Sequence, residues 1–273
     1  MKLADLHLHT VFSDGTYTPQ ELVAQSLKAG LSAIALVDHD TVDGIEPTLE
    51  AAKAEDIEVL AGIELSAEYE TQEVHVLGYL IDYKRKDLRE KLNFLKQNRI
   101  ERIYKIVDKL KDMGLDLKAQ DIFDIAQGGT VGRLHVARAM LKAGKITSIF
   151  EAFQKYIGEK CPAYVLGFRF SVYEAIKLIR DIQGIPVLAH PYTLHRDELI
   201  PDFVAHGLMG LEVYYPEHSQ SMINFYLSLA QQYNLLATGG SDCHGNSKPL
   251  AKIGSLKIPY TLVEKLKAAK EKL

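Results

Sequence analysis

Histidines and acids with the chemistry of metal ligands recur along the whole chain: His7, His9, Asp14, His39, Glu64, His75, His190, Asp242 and His244. Nearly all accompany a run of apolar, strand-forming residues, as in LADLHLH, AIALVDH, VLAGIE, VHVLGY, IPVLAH and LLATGGSDCH. A single H-x-H pair, or an acid in a turn such as FSDGT, carries little by itself. The coincidence of six of the ten histidines at strand ends carries more, and it points to a metal-centred active site at the mouth of a barrel. Mixed nitrogen and oxygen donors without thiolate suit Mn, Fe or Zn, as two or three divalent ions. Such ions lower the pKa of a bridging water to give hydroxide and neutralise phosphate oxygens, so phosphoester hydrolysis needs no Ser or Cys nucleophile. The same centre could open an amide or a lactone, and basic residues nearby must make the choice.

His7 and His9 are two apart on a strand, which turns both imidazoles to one side and leaves Leu6 and Leu8 to pack on the other. The same alternation turns Cys243 away from Asp242 and His244, as a bystander. Asp38, His39 and Asp40 form a charged cluster that is unfavourable at a buried strand end without a balancing cation. Glu64 has two oxygens and so suits a bridge between two metals. His75, among core residues, reads equally as a hydrogen-bonded core histidine.

Basic residues appear in VGRLHVARAM, where Arg133, His135 and Arg138 follow a glycine-rich helix start that suits an anion. Taken alone, a surface arginine and a capping residue is the simpler reading. Tyr214 and Tyr215 end another strand and suit either base stacking or packing, while Glu212 and His218 are polar candidates without a role.

These residues need elements to hold them. Candidate strands cover residues 3–9, 33–38, 58–64, 74–80, 185–190, 210–215 and 235–239. The first helix is punctuated by Thr18, Pro19, Glu21 and Gly30, and a later one by Ser171, Glu174 and Gly184. Strand and helix alternate in the βαβ rhythm of a parallel sheet, giving an α/β fold: a distorted (β/α)7 barrel. Between about Tyr83 and Cys161 the strand signal gives way to helical spacing in Leu88, Leu92, Leu95, Ile103, Ile106, Val107 and Leu110. Two shorter helices follow, over 133–143 and 147–157. The expected organisation is a barrel from 1–83 and 162–273 with a helical lid inserted at 84–161. The C-terminal TLVEKLKAAKEKL reads as a solvated closing helix.

With 273 residues, a net charge of -4 and two widely spaced cysteines, the chain has no broad positive field for long duplex nucleic acid and no disulfide framework. No apolar stretch approaches the roughly 20 residues that span a bilayer, which implies a cytoplasmic protein without membrane contact. No obligate protein partner is evident.

DLHLHT, VDHD, VLAH and GGSDCH resemble the four motifs of the PHP (polymerase and histidinol phosphatase) family of metal-dependent phosphoesterases, with GIELS and EVHVLGY as the intervening ligand segments. The resemblance implies one metal on His7, His9, Glu64 and Asp242, a second on Glu64, His75 and His190, and a third on Asp14, His39 and His244. It further makes VGRLHVARAM similar to the GRxHxAR segment of the branch acting on nucleotide bisphosphates and RNA 5′ ends. On that reading Glu64, His190 and His244 act with Arg133 and His135 in catalysis. Arg133 and His135 grip a phosphate, with Arg138, Lys160 and Tyr164 as further contacts. The expected substrates are 3′,5′-bisphosphonucleosides and the 5′ ends of short single-stranded RNA. The alternatives are a histidinol phosphatase or a non-catalytic metal-binding PHP module.

Overall fold

A computed structural model describes residues 2–70, 72–248 and 250–273. Seven strands make the barrel: β1 (Leu3–Leu8), β2 (Ala33–Leu36), β3 (Glu58–Tyr69), β4 (Gln72–Tyr79), then β6 (Ile185–Leu188), β7 (Gly210–Tyr214) and β8 (Leu236–Gly239). Two short strands are added to it. β5 (Phe170–Ser171) pairs with β3, and β9 (Ile258–Pro259) pairs antiparallel with the start of β1. The sheet order is β8-β7-β6-β4-β3-β2-β1-β9. Beyond β8, a bridge between Leu8 and Cys243 closes the ring, with the His9 amide donating to the Cys243 carbonyl at 3.1 Å.

The uniform βαβ rhythm fails at one place. β3 and β4 form an antiparallel hairpin, and β4 also runs antiparallel to β6, because the short connection from Tyr69 to Gln72 leaves no room for a crossover helix. Elsewhere helices intervene: α1 (Pro19–Lys28) and α2 (Ile45–Ala52) early, then α7 (Val172–Asp181), α8 (Ile200–Ala205) and α9 (Gln220–Gln232). α1 and α7 both start in capping boxes, Thr18 with Glu21 and Ser171 with Glu174, as their sequences require.

The barrel interior is filled by Ala4, Leu6, Ala35, Leu60, Leu77, Tyr79 and Val187, and it is plugged from below by Val263 and Leu266 of α10 (Thr261–Lys270). The closing helix is therefore not simply solvated. One apolar stripe of it is core, and a fully buried leucine such as Leu266 contributes about 1.5–3 kcal/mol.

β1 also departs from plain alternation. Asp5 lies opposite Ile34 and Leu8 opposite Leu36, so three steps along β1 face two along β2. This bulge leaves Leu6 in the barrel interior and Leu8 in the outer layer with Ile34 and Leu36. Leu6 and Leu8 thus do not share a face, and the change of face aims His7 and His9 into the barrel mouth.

Between the strands of the two halves lie α3 (Lys86–Asp112), α4 (Ala119–Ala126), α5 (Arg133–Lys142) and α6 (Ile149–Ala152), the last running into a π-helical turn, Phe153–Ile157. Leu88, Leu92 and Leu95 at the start of α3 pack into the outer layer of the barrel. Ile103, Ile106 and Leu110 at its end belong to a separate apolar cluster that reaches Ala163. One long helix therefore contributes to both apolar clusters. Among the described residues no helix is long and apolar enough to cross a membrane.

Candidate metal centre

Glu64 stands at the middle of the barrel mouth, almost wholly buried. Its Oε2 lies 3.0 Å from His7 Nε2, 3.2 Å from His9 Nε2 and 3.5 Å from His39 Nδ1. Its Oε1 lies 2.8 Å from His75 Nδ1 and 3.2 Å from His190 Nε2. Asp242 Oδ1 adds a second carboxylate 3.5 Å from His7 and 3.4 Å from both His9 and His244. Asp14 lies 3.1 Å from His244 Nε2. All nine residues singled out by type and position therefore converge within one cleft.

The donor atoms suit cations better than one another. His9 Nδ1 and Nε2, His39 Nδ1, His75 Nδ1 and Asp14 Oδ1 are buried and, although oppositely charged groups stand close to several of them, none makes a well-aligned hydrogen bond. Buried polar atoms are rarely left so, and a cluster of them at the barrel mouth suits cations that would satisfy them. Three subsets have ligand atoms close enough to share an ion: His9, Asp14, His39 and His244; His7, His9 and Asp242; and His39, Glu64 and His75.

The protein alone answers this crowding by protonation. Burial opposes charge on His75, but Glu64 and Glu73 outweigh it and push the imidazole up to about 10. His9 is likewise carried against burial to about 9 by Asp242 and Glu64. For His39 burial wins and holds it down to about 4. Burial also disfavours the Glu64 carboxylate, yet the His39, His7 and His75 imidazoles keep it well below the usual range. Cations bound at His9 and His75 would have to displace these protons, because only neutral imidazole is a ligand. Metal uptake near pH 7 is therefore expected to release protons, and affinity to fall as pH falls. Titration calorimetry in buffers of different ionisation enthalpy reads that release directly, and a buffer-independent heat would contradict it.

Supporting groups fix the ligands. Glu212, fully buried, accepts from His7 Nδ1 at 2.8 Å and from the His190 amide at 2.8 Å, the carboxylate–histidine arrangement that sets a ligand's tautomer and aim. His190 itself holds φ 26°, and Asp242 and Asp40 hold φ 51°, conformations that cost energy and recur where a site over-determines the backbone. Tyr215 donates to Asp242 Oδ2 at 2.7 Å, and Lys248 reaches the same oxygen at 2.5 Å. The other acids of the VDHD cluster are balanced by the protein, not by a cation. Asp38 accepts from the Thr10 amide and hydroxyl and from Ser13, fixing the loop that carries Asp14. Asp40 accepts from the Ser66 amide and pairs with Arg99.

Beside His39, His75 and Asp14 opens a cavity of about 160 Å³ whose wall includes Arg99, Arg102, Arg133 and Arg169. Glu73 Oε2 takes one bond of 2.6 Å from Arg133 and another from Arg169, while Glu73 Oε1 stands 3.3 Å from His75 Nε2. One carboxylate does not satisfy this array. Arg102 Nη2 and Arg169 Nη1 are buried without a partner, and burial together with Arg133, Arg169 and Arg99 lowers Arg102 to about 10. A wall with surplus buried positive charge and free guanidinium donors is built for an anion.

Arg133 lies in this wall, and the Tyr164 ring sits beneath the guanidinium groups of both Arg102 and Arg133, at 5.6 and 5.5 Å. His135 is buried outside the cavity lining, its Nδ1 accepting from the Gly132 amide at 3.1 Å. Arg138 bonds the Asp14 carbonyl and Ser247, tying α5 to the barrel loops. Lys160 is exposed and lies outside the lining. Arg99, Arg102, Arg169, Glu73 and Lys248 escaped the reading of sequence. Their only signals were the Arg99–Arg102 spacing on α3, ordinary on a solvated face, and an arginine between two phenylalanines in FRF.

The profile of the PHP domain family matches residues 5–161. The chain is 32% identical over 248 residues to a 5′-3′ exoribonuclease of Haemophilus influenzae, covering 89% of this chain and 90% of the relative. It is 31% identical over 253 residues to a 3′,5′-nucleoside bisphosphate phosphatase of Chromobacterium violaceum, covering 88% and 86%. A solved structure from Bifidobacterium adolescentis, assigned as a metal-dependent phosphoesterase, superposes with a TM-score of 0.91 at 31% identity, covering 98% of this chain and 96% of that one.

Proposed function

Because the chain belongs to the PHP domain family and is a metal-dependent phosphoesterase, we propose that it acts on small nucleotides carrying two phosphates. The substrates are nucleoside 3′,5′-bisphosphates and the 5′-phosphorylated ends of short RNA. The observation that carries this reading is the arginine-lined cavity beside the metal ligands, with two buried guanidinium donors free. One phosphate is hydrolysed at the metals while the other rests on the arginines.

In this proposal His7, His9, Glu64 and Asp242 would hold one ion, Glu64, His75 and His190 a second, and Asp14, His39 and His244 a third. The set fits Mn, Fe or Zn. When bound, the cations supply an activated water and neutralise the phosphate under attack. The residues of the chain do the rest. Glu64 keeps the ions together, and Glu212 aims His7. Arg133, Arg102 and Arg169 hold the second phosphate, and Glu73 keeps two of those guanidinium groups in place until it arrives. Water adds to phosphorus, the P–O bond to ribose breaks, and the ribose oxygen takes a proton. Residues 84–161 act as the lid that carries three of the four arginines. Two free cysteines accord with a reducing, cytoplasmic setting.

Elemental analysis of purified protein, joined to phosphate release from adenosine 3′,5′-bisphosphate, 5′-phosphorylated oligoribonucleotides and histidinol phosphate, tests the reading. Bound divalent metal and a clear preference for the nucleotides are expected. Faster turnover of histidinol phosphate would overturn it.

A further inference from the structure

The arginine cavity is too small for a whole nucleotide, since pockets enclosing ligands of that size run to roughly 300–1,000 Å³ and this one is about 160 Å³. Whatever binds its phosphate there must extend beyond it, toward the cavity of about 330 Å³ over His39, His75 and Asp242 or out past its exposed rim. At the rim stand two exposed aromatic rings. Phe168, between Gly167 and Arg169 of the cavity wall, is 46% exposed, and Phe94 of α3 is 53% exposed. They meet edge to face at 5.0 Å, and Phe170 packs against Phe168 at 5.8 Å, also near perpendicular. Phe94 belongs to the same α3 stripe as Asn98 and Arg102, both cavity residues, since positions four apart share a helix face.

Scattered exposed apolar residues need no explanation, but this pair is continuous with an anion site and packed against Phe170. From these observations we infer that Phe168, braced by Phe94, is a stacking platform for the nucleobase of the substrate. The inference rests on the nucleotide reading above. An aromatic ring offers its face to any base, so the platform favours nucleotides over sugar phosphates without selecting one base. The arginines fix the phosphate and Phe168 fixes the base, which leaves the ribose and its other phosphate directed toward the metals.

The test compares adenosine 3′,5′-bisphosphate with its base-less counterpart, 1-deoxyribose 3,5-bisphosphate, on the full metal-loaded chain. Phe168→Ala is expected to raise KM for the adenosine substrate about tenfold, the order that loss of one stacked base produces. KM for the base-less substrate should change less than twofold. Phe168→Trp should keep the wild-type preference, and metal content with circular dichroism verifies that each variant is folded. Equal losses on both substrates, or no loss on either, would overturn the platform while leaving the two-phosphate reading intact. A wild-type enzyme that releases phosphate from other esters but ignores both bisphosphates would overturn that reading and the platform with it.

Discussion

Glu64→Gln is expected to empty most of the metal centre and to lower kcat by on the order of a thousandfold, beyond the 10–100-fold that loss of a mere supporting partner brings. The side chain faces five imidazoles with its two oxygens. The amide keeps one acceptor but loses the charge and puts an NH₂ where an imidazole nitrogen already stands. A centre without this shared negative charge would hold its cations less tightly. Elemental analysis and single-turnover rates on folded protein measure both effects. A variant with full metal content and normal turnover would show that Glu64 does not bridge.

The second large effect belongs to the arginine wall. Arg133→Ala and Arg169→Ala should each raise KM for a nucleoside 3′,5′-bisphosphate about 10–100-fold, since a hydrogen bond to a charged group contributes roughly 1.5–3 kcal/mol. Bound metal should stay unchanged, and so should hydrolysis of an ester with a single phosphate, because neither side chain touches a metal ligand directly. Their contact with the centre passes through Glu73 and His75. A loss falling on kcat for both kinds of ester, with KM unmoved, would place these arginines in the support of the centre instead of the grip on substrate.

The candidate ligands were legible in sequence because most accompany an apolar strand run, although β3 runs on past Glu64 to Tyr69, His75 lies inside β4 and Asp14 sits in a loop. Residue type and strand position together were enough for His7, His39, Glu64 and His190. The face that His7 and His9 present was right for a reason alternation does not contain. A bulge between Asp5 and Leu8 turns them, and a bulge shows only when the neighbouring strand's register is known. The direction of β4 was hidden in the same way, since a strand's apolar run is the same read up or down. The arginines were hidden more deeply. Arg99 and Arg102 look like the wet side of α3, and Arg169 is separated from them by a long stretch of chain. Their common purpose appears only where the end of the helical segment folds back against α3. Asp38 and Asp40 point the opposite way. Their charge suggested a cation, and the protein itself supplies hydroxyls, amides and Arg99 instead.

The bridge from Leu8 to Cys243 sets when the enzyme comes into being. On a ribosome His7 and His9 emerge long before Asp242 and His244. The helices between 84 and 161 can gather their own apolar cluster in the meantime, as early-synthesised units generally do. The full ligand set waits for the ring to shut. A centre that needs His7, His9, Asp242 and His244 together is complete only once the Leu8–Cys243 bridge has formed, so metal capture by the full set is expected to follow closure of the ring and not to nucleate it.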